Sequence, residues 1–398
     1  MKVLEINSVC GIKSTGRICT DIADVLRNEG HNCKVAYGRE IVPDKYKEIS
    51  FHIGNDASVK SDAFLTRIFD NAGFNSKKAT KDFIKWAKEY DPDIIHLHNI
   101  HGYYMNIEIL FKWLKEAGKP VVWTLHDCWA FTGHCAHFVN AGCEKWKTGC
   151  FSCPKKKAYP KSQFLDNSKK NYEKKKKIFT SLENLAIVTP SEWLAKLARE
   201  SFLGKYKVKA IPNGVNLEVF KPTEGDFRER CGLLDKKIIL GAATAWSESK
   251  GLSLFSEIAE KLDDTYKVVL VGTTEEVREK LSEKILALPK TNNVMEMAEI
   301  YTASDVFLNI SKAETMGLTT VEAMACGTPV VTSNLTAVPE VVRENGGVVA
   351  DKLTADEIIK CIEKVLSKDY RDTRKNAEEY EKTKQYLKYL ALYEERLK

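Results

Sequence analysis

SKAETMGLTTVEAMACGTPVVTS, Ser311–Ser333, is the stretch that decides the fold. The apolar run before it, Asp305–Ile310, reads as a buried strand. Glu314 then falls in a loop, and Gly317 permits a sharp turn with close backbone approach. Leu318–Cys326 suits a helix, which Gly327 and Pro329 stop. Pro329–Ser333 opens another buried strand. Strand, loop, helix and strand make one unit of a parallel sheet, and open sheets of this kind bind ligands at the carboxyl ends of their strands. N–H groups around Met316, Gly317 and Leu318 lie where a helix start holds an anion. Glu322 stands about five residues into the helix, roughly 7 Å along it. Two acids so placed fit a ligand with a central diphosphate and hydroxyl-bearing sugars on both sides. On spacing alone, an ordinary strand–helix unit with two solvated acids fits equally well.

The same alternation runs outward in both directions. Lys2–Val9 reads as a strand, and CGIKSTGR, Cys10–Arg17, leads into a helix that Gly30 ends. Gly11 and Gly16 have the gap of a phosphate-binding loop, but Arg17 and Ile18 follow where that loop needs Lys and then Ser or Thr. A glycine-bearing strand–helix turn remains. Helices are expected near Ser61–Ala72 and Lys77–Tyr90, then the strand DIIHLH, Asp93–His98. Its two histidines share a face, His101 follows, and the three read as polar groups lining a cleft. Pro120–Leu125 is a further strand ending in His126-Asp127. The chain of 398 residues is long enough for two such domains, each with its own core. The turn-rich PNGVNLEVFKP, Pro212–Pro222, marks the hinge. The expected organisation is therefore a doubly wound domain over 1–211, a second over 212–380, and a C-terminal helix, 381–398, returning to the first. In the second half, helices are expected near Glu275–Ala287, Val294–Ser304, Ala355–Leu366 and Asp369–Arg396.

One segment breaks the alternation. Five of the eleven cysteines fall between Cys128 and Cys153, inside an insertion, 128–157, with little hydrophobic periodicity. Cys135, Cys143, Cys150 and Cys153 are spaced C-x7-C-x6-C-x2-C, and the last pair has the close spacing of a zinc knuckle. A structural zinc would order the segment. His134 and His137 are positioned to replace a thiolate, Cys128 is the natural outsider, and free thiols packed in an irregular loop are the alternative. Next comes Lys155–Lys177, with ten lysines against Asp166 and Glu173. Such a run is most simply a solvated helix face, Ser162–Leu182, or else a contact for anionic lipid headgroups. Only Tyr159, Phe164 and Tyr172 stand among these charges, too few for a stacking platform, which makes nucleic acid the weaker alternative.

The net charge of +6 is modest, no leader pattern precedes the first strand, and no apolar run reaches the ~20 residues of a membrane span. A cytoplasmic protein with reduced cysteines is expected, with a peripheral place at the inner membrane face if the lysine stretch binds lipid.

Taken together, ETMGLTTVEAMACGTPVVTS, IPNGVNLEVFKP, SESKG and TLHD resemble the family 4 retaining glycosyltransferases over nearly the whole chain. The loop GIKSTGR and the cysteine-rich insertion resemble a subgroup of bacterial capsule and exopolysaccharide assembly. The resemblance implies a GT-B fold, two α/β Rossmann-like domains facing across a cleft, the first on the acceptor side and the second binding the donor. It implies a nucleotide-sugar donor, UDP- or GDP-linked, and a glycan or lipid-linked acceptor. Glu314 would contact the donor sugar and His126 would lie near it. Met316, Gly317 and Leu318 would offer N–H groups to the diphosphate, Lys250 would neutralise it, and Glu322 would bind the ribose. Gly16 would let the first loop approach the donor. The arginine that family members often carry a few residues before the lysine is missing from Ala243–Ser249, which shifts weight onto Lys250, the helix dipole and Arg17. Fixed N–H groups and a lysine can stabilise a departing diphosphate, so no catalytic metal is expected. Two other classes stay open: a catalytically weak nucleotide- or carbohydrate-binding protein, and a zinc-loop interaction protein.

Overall fold

The structure, a computed structural model, describes residues 1–343, 345–368, 370 and 372–398. The chain folds as two compact units, Met1–Pro212 with Gln385–Lys398, and Asn213–Lys384.

The first unit is built on seven strands: β1 Lys2–Asn7, β2 Asn32–Tyr37, β3 Ser50–His52, β4 Ile94–Leu97, β5 Val121–Thr124, β6 Leu185–Thr189 and β7 Lys207–Ala210. They pair in the order β3-β2-β1-β4-β5-β6-β7, all parallel. The order reverses at β1, the topological switch point of a doubly wound sheet. Helices α1 Lys13–Asn28, α2 Asp56–Phe69, α3 Lys77–Tyr90, α4 Ile107–Ala117, α5 Ser168–Phe179 and α6 Glu192–Glu200 connect them. The central strands are buried throughout, as helices covering both faces of a parallel sheet require, and so they read as continuous apolar runs.

The second unit repeats the plan with β8 Lys237–Ala242, β9 Tyr266–Val271, β10 Ile285–Leu288, β11 Val306–Asn309, β12 Val330–Ser333 and β13 Gly347–Ala350. Their order is β10-β9-β8-β11-β12-β13, again all parallel. Its helices are α7 Phe227–Arg230, α8 Leu252–Lys261, α9 Glu275–Arg278, α10 Val294–Ala303, α11 Leu318–Ala325, α12 Ala355–Leu366 and α13 Thr373–Glu378.

Helix α14, Lys382–Leu397, ends the chain. Tyr386, Tyr389, Leu392 and Tyr393 are buried in one cluster with Ile22 of α1, Val122 of β5 and Val188 of β6. The Tyr389 hydroxyl lies 3.0 Å from Thr124 Oγ1, and that of Tyr393 lies 2.6 Å from His96 Nδ1. Asp369, the expected start of a single last helix, lies outside the described residues, and the described chain beyond it forms two helices.

Two expectations fail on physical grounds. Glu275–Ala287 is not one helix: α9 covers a single turn, and Ile285–Leu288 pairs with Val268–Val271 as an edge strand. A short apolar run is ambiguous between the two periods, and sheet pairing decides it. The lysine-rich helix is shorter than Ser162–Leu182, because residues 161–167 are held in a loop by Ser162 and Asp166 side-chain hydrogen bonds.

Candidate active site

In the second unit the site grows from the end of β11. Asn309 Nδ2 donates to Thr320 Oγ1 at 2.9 Å, and Lys312 N–H donates to Ser249 O at 2.8 Å, tying the loop after β11 to the loop after β8. Gly251, φ +80°, sits against Ile310; a Cβ there would stand 2.8 Å from Ile310 Cγ1. This close approach holds Lys250 beside the β11 loop, where its Nζ makes an ion pair with Glu314 Oε1. Glu314 is held in turn by its N–H donating to Thr336 Oγ1 at 3.0 Å.

Gly317 caps α11 at φ +88°, with Asn309 Nδ2 3.2 Å from where its Cβ would be, so the turn favours glycine both sterically and conformationally. The N–H groups of Leu318 and Thr319 precede any intrahelical acceptor, and the Thr320 N–H already donates to Gly317 O at 3.0 Å. Met316 is buried, and its Sδ lies 3.2 Å from the Asn213 nitrogen. Leu318 opens the helix, and further along it the half-buried Glu322 accepts at Oε2 from the Tyr301 hydroxyl at 3.2 Å. Lys250, Glu314, Met316, Gly317 and Leu318 therefore meet at the carboxyl end of β11, with Glu322 on the helix that starts there. Asn309, Thr336 and Tyr301 support this group. Sequence reasoning passed over them, because an Asn, a Thr and a Tyr in ordinary elements carry no spacing signal.

In the first unit His126 follows β5. Its Nε2 lies 3.0 Å from His98 Nδ1, with the rings stacked 5.3 Å apart. Burial pulls its pKa down to about 4, opposed by the Asp127 carboxylate, so the ring is neutral near pH 7. His98 Nε2 is 3.5 Å from Glu5 Oε2, and both side chains are fully buried. Burial raises the Glu5 carboxyl well above its usual range and lowers His98. His96 is fixed between Thr124 Oγ1, 2.8 Å, and the Tyr393 hydroxyl. His96 and His98 are thus core groups rather than cleft-lining ones. The cue for this was Glu5, an acid inside the apolar run of β1. His101 pairs with Asp127 at 3.0 Å instead.

Gly16 lies inside α1, buried, where a Cβ would stand 3.1 Å from Val9 Cγ2, so its missing side chain serves the packing of this helix on the β1 end. Arg17 beside it is exposed. Cys135, Cys143, Cys150 and Cys153 line one small cavity with His134 and Trp146. Among the described residues, the group of three metal-capable donors within 4.8 Å of one another is instead Glu5, His96 and His98. Both ring nitrogens of His96 already have hydroxyl partners, which marks that group as a buried hydrogen-bonding network.

Two family profiles match this chain. The one described as Glycosyltransferase Family 4 matches residues 15–219, and the one described as Glycosyl transferases group 1 matches residues 225–384. The putative colanic acid biosynthesis glycosyl transferase WcaC of Escherichia coli is 25% identical over 281 residues, which span 68% of this chain and 66% of that relative, just under two thirds of its length. Among solved structures, the sucrose-phosphate synthase of Thermosynechococcus elongatus superposes with a TM-score of 0.74 at 17% identity over 99% of both chains. Anabaena Alr3699/HepE, solved in complex with UDP, superposes with a TM-score of 0.69 at 14% identity over 99% of this chain and 100% of that one. These structural likenesses establish the two-domain GT-B fold. The first profile spans more than half of the sequence and the second most of the remainder, and the chain belongs to glycosyltransferase family 4.

Proposed function

We propose that this glycosyltransferase moves a sugar, with retention of anomeric configuration, from a UDP- or GDP-sugar to a glycan or lipid-linked glycan in polysaccharide assembly. The observation that carries the reading is the Lys250–Glu314 pair at the foot of α11, with Glu322 on the same helix. The leaving diphosphate gathers negative charge as the glycosidic bond breaks. Lys250 and the N–H groups at the start of α11 would face that charge, and fixed dipoles stabilise it without reorganisation. Diphosphate would draw the Lys250 ammonium from Glu314, freeing that carboxylate for sugar hydroxyls. Glu322, oriented by Tyr301, would accept the ribose hydroxyls. With protein groups in these roles, turnover needs no free magnesium or manganese. The neutral His126 would serve the donor sugar as a hydrogen-bonding group, and Gly16 and Arg17, near the start of α1, mark the other part of the first unit that would meet ligand. The UDP bound to Alr3699/HepE and the colanic acid role in the name of WcaC support the donor and acceptor classes.

The test is calorimetry with UDP and GDP. Glu322→Ala should weaken the better nucleotide by about 1.5–3 kcal/mol, the range for a charge-assisted hydrogen bond. Unchanged affinity would remove Glu322 from the ribose site.

A peripheral contact with anionic membrane belongs to the same reading. Phe164 is 68% exposed and Phe64 62%. The two stretches that carry them meet where Gln163 N–H donates to Arg67 O at 2.8 Å and Asn167 Nδ2 to Phe69 O at 2.7 Å. The exposed Lys161, Lys169 and Lys170 lie close by in the chain. Exposed aromatic rings beside lysines suit a lipid headgroup layer, and would bring the enzyme to a lipid-linked acceptor.

A further inference from the structure

The insertion between β5 and α5 holds a group of side chains that transfer does not use. Cys135, Cys143, Cys150 and Cys153 line a cavity of ≈ 10 Å³, room for a single ion or water and nothing larger. The thiols of Cys135 and Cys153 hydrogen-bond each other, and Cys150 Sγ accepts the Gly133 N–H at 3.1 Å. His134 lines the same cavity. Its Nδ1 is paired with Asp70 Oδ1, and its buried Nε2 has no hydrogen-bond partner. Behind the cysteines is Lys175, fully buried. Its ammonium donates to Trp129 O at 2.9 Å and Thr132 O at 3.1 Å and lies 3.4 Å from the Trp129 ring centre. Among the described residues no carboxylate forms an ion pair with it.

Four neutral thiols do not account for this setting. A buried ammonium with only carbonyl and ring partners lacks a counter-charge, and such a charge is costly. Burial pulls the Lys175 ammonium down to about 7, and the groups that oppose this are Cys150 and Cys135, ahead of the Asp70 and Asp127 carboxylates. Four thiolates around a divalent cation carry a net charge of about −2, the sign that Lys175 needs. The Gly133 N–H is a donor on the cavity wall, and His134 Nε2 becomes one when the ring beside the Asp70 carboxylate is the imidazolium; thiolate sulfurs accept from both.

We propose that Cys135, Cys143, Cys150 and Cys153 bind one structural zinc ion as four thiolates, with Lys175 as the buried counter-charge and His134 as an N–H donor to the cluster. No three of these sulfurs lie within 4.8 Å of one another, so binding the metal would require them to close in. The insertion permits this, being loop with isolated 3₁₀ turns, Val139–Ala141 and Lys145–Lys147. The ion would fasten the insertion to α5 and to the segment after β5 that carries His126, without taking part in transfer.

Elemental analysis of the full chain, purified without added metal, should find close to one zinc per chain. Titration of the folded protein with a mercurial thiol reagent should release it into a zinc indicator after about four equivalents, a readout that needs no variant to fold. Replacing zinc with cobalt(II) should give the thiolate charge-transfer and strong visible bands of tetrahedral coordination. Cys143→Ser should lose the metal, while His134→Gln keeps it. Absence of zinc together with no uptake of added zinc or cobalt by reduced protein would overturn the site. Zinc retained in Cys143→Ser but lost in His134→Gln would overturn the four-thiolate set.

Discussion

His126 shows how burial sets chemistry at the scale of one residue. Its pKa near 4 in the folded chain compares with about 6.5 in an unfolded one. As pH falls, the unfolded chain takes up the proton first. The stability contributed by the neutral ring is therefore complete above about pH 6.5 and is lost from there down towards pH 4, at up to about 1.4 kcal/mol per pH unit. Denaturant unfolding across this window should show a shallower loss for His126→Asn than for the parent, and parallel curves would mean that the ring is not held neutral by burial. At this scale the sequence shows which side chains matter and hides who holds them. Glu314, Glu322 and Lys250 stand out by their place around a strand–loop–helix unit. Their supports, Thr336, Tyr301 and the glycine contact at Ile310, depend on pairings across the fold that spacing does not record. The Glu5–His98–His126 run is a case between the two: an acid inside an apolar strand was visible, but its partner follows the end of another strand, β4.

Among the elements, the unit β11–α11–β12 was legible because its apolar strands and its glycine and proline stops agree at every step. The edges were less so. β10 pairs on one side only, and its short apolar run resembles a helix face until the sheet claims it. Helix α14 is an element on which the first unit depends. Four of its large side chains complete the cluster against α1, β5 and β6. Burying a large apolar side chain is worth roughly 1.5–3 kcal/mol, so losing four approaches the ~5–15 kcal/mol that stabilise a whole domain. Deleting Gln385–Lys398 should abolish the cooperative unfolding transition of the first unit and expose the amides of β1 and β5 to hydrogen exchange. A truncated chain with the parent's melting temperature and protection in those strands would show that the helix is dispensable.

At the scale of the molecule, two parallel sheets carry two sets of groups at their strand ends, and family membership rests on both halves of the chain. The fold was readable from repeated strand–helix alternation, which needs no long-range information. The last helix, expected to return to the first domain, packs its tyrosine stripe within the first unit. The lysine stretch and its neighbouring aromatics make a claim about the whole protein in its surroundings. Sedimentation should favour phosphatidylglycerol vesicles over phosphatidylcholine vesicles and weaken as salt rises, since lysine–headgroup attraction is screened; equal binding to both would leave the lysines as a solvated face. The most direct test of the account is nucleotide release from a panel of UDP- and GDP-sugars by the parent and by Lys250→Ala. The prediction is that the parent releases nucleotide from at least one donor, and that Lys250→Ala stays folded and releases it about 100-fold or more slowly at saturating donor, the scale of losing one transition-state charge partner. Release by Lys250→Ala at the parent's rate, or none from any donor by the folded parent, would contradict it.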